Sequence, residues 1–346
     1  MLLLLALVAW QDRPPPVRTE LAPGVHLFQT APYAEVGLDG NSIAIITTDG
    51  VVVFDANGTP AAAAAVLAGI RRLTSQPVRY LVNSHWHWDH WYGNQVYRDA
   101  FPGLRIIVHQ RTRALMAGPA IEFNRPGLET GLPRYLESLS ARAATGDSAA
   151  ARSLAVGRFF LAEKRSVRHV LPDSTFTDRL TLRLGGREIQ VLNFGRAVTP
   201  GDALLWLPRE RILLTGDLIV NPVTFALSGY PTEWLHALER VDALDAAIMV
   251  TGHGAPLQGE SLLHATMDVF RILLREGAGA KRRGMTVHEA REAILPRLAA
   301  TRTAITGDDP GRNAAFRVQL VDWYLHRVYE ELDGPLDDRI APIPPG

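Results

Sequence analysis

The chain has 346 residues, 47% hydrophobic and 21% charged, with a formal net charge of zero. That composition supports a globular core in one or two domains, and no broad basic field argues for nucleic acid. There is no cysteine, which excludes disulfides, thiolate metal ligands and a cysteine nucleophile.

The opening "MLLLLALVAW" is too short an apolar run to span a bilayer. It resembles the apolar part of a secretory signal, with Ala9 as a cleavage position, so the expected location is periplasmic or secreted, with the cytoplasm as the alternative. Residues 1–19 are read as a signal-like, disordered segment. Short β-branched runs follow at 24–30, 41–50 and 51–58, bounded by Gly, Asn and Asp. "PAAAAAVLAGIRRL" at 60–73 is a helix opening on proline. "VRYLVNS" at 78–84 and "LRIIVHQ" at 104–110 are buried strands.

Residues from 111 to about 175 form a helical insertion, with helices at 132–144 and 148–165 split by the turn Thr145-Gly146-Asp147. Strands resume with a hairpin around Gly185-Gly186, then at 203–208 and 211–217. A helix at 232–244 is assigned Thr232 as its cap, and "AIMVTGHG" at 247–254 is the final buried strand. Residues 261–332 read as a helical extension, whose Phe270, Leu273, Leu320, Trp323, Tyr324 and Val328 would cap the body or form a homodimer contact. The Pro-rich tail from 333 to 346 reads as loose.

The chemistry concentrates in "SHWHWDH" at 84–90. In an extended segment His85, His87 and Asp89 share a face, while His90 points elsewhere. Imidazole nitrogen and carboxylate oxygen suit zinc, with iron or manganese as alternatives. The interleaved Trp88 and Tyr92 are either a substrate wall or packing, and Trp86 reads as packing.

The longer run "HWHWDHWYGN" resembles the signature of the metallo-β-lactamase superfamily. The resemblance covers about residues 20–260, because "LLTGD" and "VTGHG" recur in the family's order. It implies an α/β fold, the αββα sandwich, and a two-metal site. His85 and His87 would serve a first metal; Asp89, His90 and His253 a second; Asp217 would reach between them. The family's remaining histidine lies in a frame like G-R-x-H-T-x-G-D. Here the frame runs Gly195-Arg196-Ala197-Val198-Thr199-Pro200-Gly201-Asp202. Val198 occupies the histidine position and has no lone pair to give, so one site is expected to hold metal weakly or not at all. His109 and His169 are the imidazoles left to replace it.

The implied activity is zinc-dependent hydrolysis of a small ester, lactone, lactam or thioester. Zinc lowers the pKa of its water to about 7, and Asp89 would carry the proton. Arg196 and His109 join Trp88 and Tyr92 as pocket candidates, with Arg196 equally readable as a structural ion-pair residue. The insertion would act as a lid or a surface layer. The alternative is a catalytically impaired relative that binds metal and ligand without turnover. The expected partner is a small molecule, without nucleic acid or stable membrane insertion.

Overall fold

The computed structural model describes residues 14–343. The chain divides into two compact units, each with its own sheet. The first runs to Val108 and includes Arg113–Thr175 and Leu184–Arg187; the second holds His109–Thr112, Phe176–Arg183 and Glu188 onward.

The first sheet has seven strands in chain order: β1 (Val17–Ala22), β2 (Val25–Gln29), β3 (Ser42–Thr47), β4 (Gly50–Phe54), β5 (Val78–Val82), β6 (Arg105–His109) and β7 (Ser174–Phe176). β1 begins inside the segment read as disordered and forms an exposed edge antiparallel to β2. Residues 1–13, with Ala9, lie outside the described residues. β4, β5 and β6 pair in parallel, and β4 is buried along its whole length, as a strand covered on both faces must be. Parallel pairing sends the C-terminal ends of β4 and β5 to one edge of the sheet, which places the chemistry below.

The helix Pro60–Arg71 starts where a proline costs no hydrogen bond, and the Thr59 hydroxyl accepts from the Ala62 amide at 3.2 Å. Its Ala63, Val66 and Ile70 pack with Val53 and Leu81. The helices Leu132–Ala144 and Ser148–Arg165 form as the sequence predicts, the second capped by Asp147. They pack together through Leu136, Leu139, Ala150 and Leu154.

The second sheet comprises β8 (Arg179–Leu184), β9 (Arg187–Leu192), β10 (Leu204–Leu207), β11 (Ile212–Gly216), β12 (Ile248–Thr251) and β13 (Leu257–Gln258), in the spatial order β13-β12-β11-β10-β9-β8. Gly185 and Gly186 take φ of +53° and +73°, the backbone a two-residue hairpin turn requires and side chains resist. β11 and β12 are parallel, and β10 lies antiparallel to both β9 and β11. The C-terminal ends of β9, β11 and β12 therefore share one edge.

The helix assigned Thr232 as its cap starts instead at Pro231, after Tyr230. Thr232 sits in the first turn, and its amide and hydroxyl both meet the Glu331 carboxylate, at 3.3 and 2.8 Å. A carboxylate from the final helix supplies the acceptor that a capping hydroxyl would have supplied, and its charge suits a helix N-terminus.

The C-terminal helices, from Ser261–Arg282 to Trp323–Asp333, are part of this unit's own core. Phe270 stacks on Tyr324 with ring centroids 4.1 Å apart and meets Trp234 at 5.0 Å. Leu273, Leu320 and Val328 are buried with them, while Trp323 packs on Phe225. Each such buried side chain contributes about 1.5–3 kcal/mol of transfer free energy. The Pro-rich tail, read as loose, is held: the Leu336 carbonyl accepts from Arg196 and the Asp337 carbonyl from Tyr230. Among the described residues no helix is long and apolar enough to cross a membrane.

Candidate metal centre

β5 ends at Val82 and hands the chain to Asn83 and Ser84. Asn83 pins the following loop through two side-chain bonds, to the His90 carbonyl and to Asn94, both at 3.0 Å. The strand ends at Val82, and the chain bends through residues 85–87. Trp88–Trp91 is a single helical turn, and this corrects the expectation for His90. The turn brings its ring back beside His85, with centroids 4.3 Å apart; His85 and His87 are separated by 4.4 Å. Asp89 belongs to the same group, with its Oδ2 3.5 Å from His90 Nε2. The first unit thus gathers all four ligand candidates of the cluster, with His85 and His90 fully buried.

Two residues missed by sequence reasoning orient them. Asp55 follows β4 as Ser84 follows β5, so the parallel pairing sets them side by side. Asp55 accepts from the Ser84 amide at 2.7 Å and the Ser84 hydroxyl at 2.8 Å, and its Oδ2 lies 2.8 Å from His90 Nδ1. Ser84 Oγ lies 2.9 Å from His85 Nδ1. Tying down Nδ1 leaves Nε2 as the nitrogen a metal would meet and makes it more basic. Burial pushes the Asp55 carboxyl up, opposed by His90 and by the hydrogen bonds from His90 and Ser84. The only sequence signal was an aspartate closing a buried strand in "VVVFDANG", which is also a common turn placement. Replacing Asp55 with asparagine keeps the shape and removes the charge behind His90. We expect zinc affinity, read by chelator competition, to fall about 10–100-fold; a change below about twofold would remove Asp55 from this role.

The second unit brings its ligand candidates together by the same device. Asp217 follows β11, and His253 follows its parallel neighbour β12, so both leave one sheet edge. Asp217 Oδ1 is 3.6 Å from His253 Nε2. The approach depends on Gly252, where an added Cβ would lie 2.0 Å from Asp217 Oδ1. Asp202 accepts from the Thr199 amide and hydroxyl, both at 2.9 Å, and locks the 195–202 loop. Burial, with the Asp217 charge adding, pushes Asp202 up to about 7.

Val198 sits in that loop with 1% exposure, inside the apolar cluster that includes Ala197, Leu204 and Trp234. His109 packs edge-on to Phe176, and its Nδ1 accepts from the Arg111 amide at 3.3 Å. His169 lies against Trp91 and Tyr92. Arg196 takes the ion-pair role: it is bonded to Glu233 and Asp338 and lies over the Tyr230 ring. Trp86 is packing, buried at 1% with its carbonyl accepting from Trp91.

Trp88 and Tyr92 line a cavity of about 340 Å³ within the first unit. Leu128, Leu132 and Phe160 of the helical insertion also line it, and the Phe160 ring packs against Trp88. Lys164, from the last turn of Ser148–Arg165, enters it with Nζ 3.3 Å from the Trp88 ring centroid and 4.3 Å from that of Tyr92. Burial draws the Lys164 ammonium down to about 7, against the opposing pull of Asp89 and Asp39.

A model of the metallo-β-lactamase superfamily matches residues 36–253, well over half of the chain. The chain belongs to this superfamily. Its fold is the metallo-β-lactamase fold: it is similar to the metallo-β-lactamase from Pontibacter korlensis, with 19% identity, a TM-score of 0.54, and coverage of 74% of this chain and 99% of that one. It is similar also to FIM-1 from Pseudomonas aeruginosa, solved in a mono-zinc form, at 14% identity, TM-score 0.54, and coverage of 76% and 97%. Among curated proteins it is 24% identical over 267 residues to a linear primary-alkylsulfatase of a Pseudomonas species, covering 71% of this chain and 48% of that protein. A type 2 metallo-β-lactamase of Bacteroides fragilis is 29% identical over 105 residues, 29% of this chain and 42% of the other. The chain therefore spans about half the length or less of these curated relatives.

The fold family implies a divalent metal, usually zinc. The residues present fit one: buried imidazoles with Nδ1 already bonded, beside a carboxylate, are a zinc donor set with its supporting partners.

Proposed function

We propose that this chain is a zinc-dependent hydrolase that cleaves an ester, with a lactone, lactam or thioester as further substrates of the same kind. The observation that carries the reading is the packing of His85, His87 and His90 with Asp89, braced from behind by Asp55 and Ser84. Family membership adds Asp217 and His253 to the metal-holding set. The family's pattern would give one metal its full set of donors and leave the other an imidazole short at Val198.

Zinc, when bound, supplies Lewis acidity and a nucleophile at neutral pH. The protein's own groups do the rest. His90 is kept in the tautomer that presents Nε2. Asp89 orients the attacking water, takes its proton and returns it to the leaving oxygen. The cavity beside Trp88 and Tyr92 receives the apolar part of the substrate and excludes water from it. Likeness to an alkylsulfatase supports including sulfate esters beside carboxylic esters in the proposed substrate class.

The test measures zinc per chain and turnover of p-nitrophenyl octanoate, p-nitrophenyl sulfate and a chromogenic cephalosporin, before and after chelation. Zinc-dependent turnover of at least one ester supports the reading. Turnover indifferent to chelation refutes it, and bound zinc with no turnover of any probe favours a metal-binding relative without catalysis.

A further inference from the structure

Nothing in the mechanism above uses Lys164, although burying its ammonium is costly. Lys164 is 9% exposed. Taking such a charge out of water costs several kcal/mol, while cation–π contact returns about 2 kcal/mol at most desolvated sites. Only Lys164 and Lys281 are lysines among 36 basic residues. A compact point charge thus stands at a stacked, enclosed position where the flat arginine fork would need more room.

Asp89 and Asp39 are the carboxylates whose charges act on Lys164, and Asp39 also accepts from the Gly58 amide at 2.6 Å. Arg125, on the cavity wall, pairs with Glu122 and reaches Glu129 at 4.0 Å. Burial and the neighbouring Lys164 both disfavour a charge on His169. Lys164 is left as the cavity's inward-facing cation, next to Trp88 and hence one residue from Asp89. The lining also includes the apolar Val36, Leu132 and Phe160, with the Phe160 ring 5.8 Å from Lys164 Nζ. A volume of about 340 Å³ lies within the range of small-ligand sites.

We infer that this cavity is a binding subsite for an anionic amphiphile, in which Lys164 holds the negative group and the Val36–Leu132–Phe160 wall holds an alkyl chain or ring. The inference rests on the hydrolase reading only for its use: there, the subsite selects substrates with an apolar chain and a negative charge. Lys164 is a specificity-determining residue and touches no bond that breaks.

The probes are octanoate, butanoate and octan-1-ol, titrated calorimetrically into the zinc-loaded full chain, with acetate as the control for a carboxylate meeting metal. Octanoate is expected to bind at least about tenfold more tightly than each of the other three. Lys164→Met is expected to erase about tenfold of octanoate affinity while leaving octan-1-ol within about twofold; Lys164→Arg keeps part of the advantage. Equal affinity of octanoate and octan-1-ol on the unaltered protein overturns the proposal whether or not the variants fold. So does octanoate binding that is unchanged in Lys164→Met, which would assign the carboxylate to the metal. Turnover measured on the same samples separates the two readings: lysine-dependent octanoate binding without hydrolysis refutes the hydrolase and keeps the subsite.

Discussion

Asp89→Asn is expected to lower kcat by about 10²–10⁴-fold, the usual worth of a positioned acid–base group. That loss corresponds to about 3–5 kcal/mol of transition-state stabilisation. Asparagine is nearly isosteric, so the helical turn Trp88–Trp91 should persist and the variant should fold. What is lost is the negative charge 3.5 Å from His90 Nε2. An amide can neither take the proton of the attacking water nor balance the charge of a metal. Zinc content should fall in parallel, and KM should change less than kcat if the aromatic cavity does the binding. Stopped-assay kinetics with metal analysis decide the point. Retention of kcat within about threefold would show that Asp89 is neither ligand nor proton carrier.

Val198→His is expected to act in the opposite direction. It returns an imidazole to the frame position in Gly195–Asp202, and zinc per chain should rise toward two. Even supporting residues alter metal affinity by about 10–100-fold, so a direct ligand should change the weaker site by at least about 100-fold. Turnover should rise with occupancy. The substitution has a physical obstacle, because Val198 is packed among Ala197, Leu204 and Trp234. A larger, polar ring kept in that cluster would cost about 1–3 kcal/mol through overpacking, and more if its nitrogens stayed unbonded. The two fates are distinguishable: a ligating ring makes thermal stability depend on zinc, whereas a trapped ring lowers stability with or without it. If occupancy and turnover both stay flat, the 195–202 loop does not stand in the family's histidine frame.

Much of this candidate centre was legible in the chain because four of its candidate donors are contiguous. His85, His87, Asp89 and His90 fall within six positions after a buried strand, and short motifs at Asp217 and His253 repeat the pattern of polar residue after apolar run. The error at His90 has a local cause: an extended segment alternates its side chains, but a single turn from Trp88 to Trp91 rotates His90 onto the side of His85. Asp55 was not legible, since it stands 35 positions from His90 and nothing nearby marks it. Thr232 misled for a similar reason, its acceptor coming from Glu331 in the final helix.

From its sequence, then, the chain declared the ligand-rich run at 85–90, and its resemblance to the metallo-β-lactamase superfamily added Asp217, His253 and the Val198 position. Those properties are chemical and local, carried by side-chain identity and hydrophobic periodicity. The bracing of His90 by Asp55, the approach of Asp217 to His253, the Lys164 cavity and the burial of Phe270 against Tyr324 were decided by tertiary structure. Each joins segments distant in sequence through parallel strand pairing or helix packing, and such pairings depend on the free energy of the whole buried core rather than on any stretch of it.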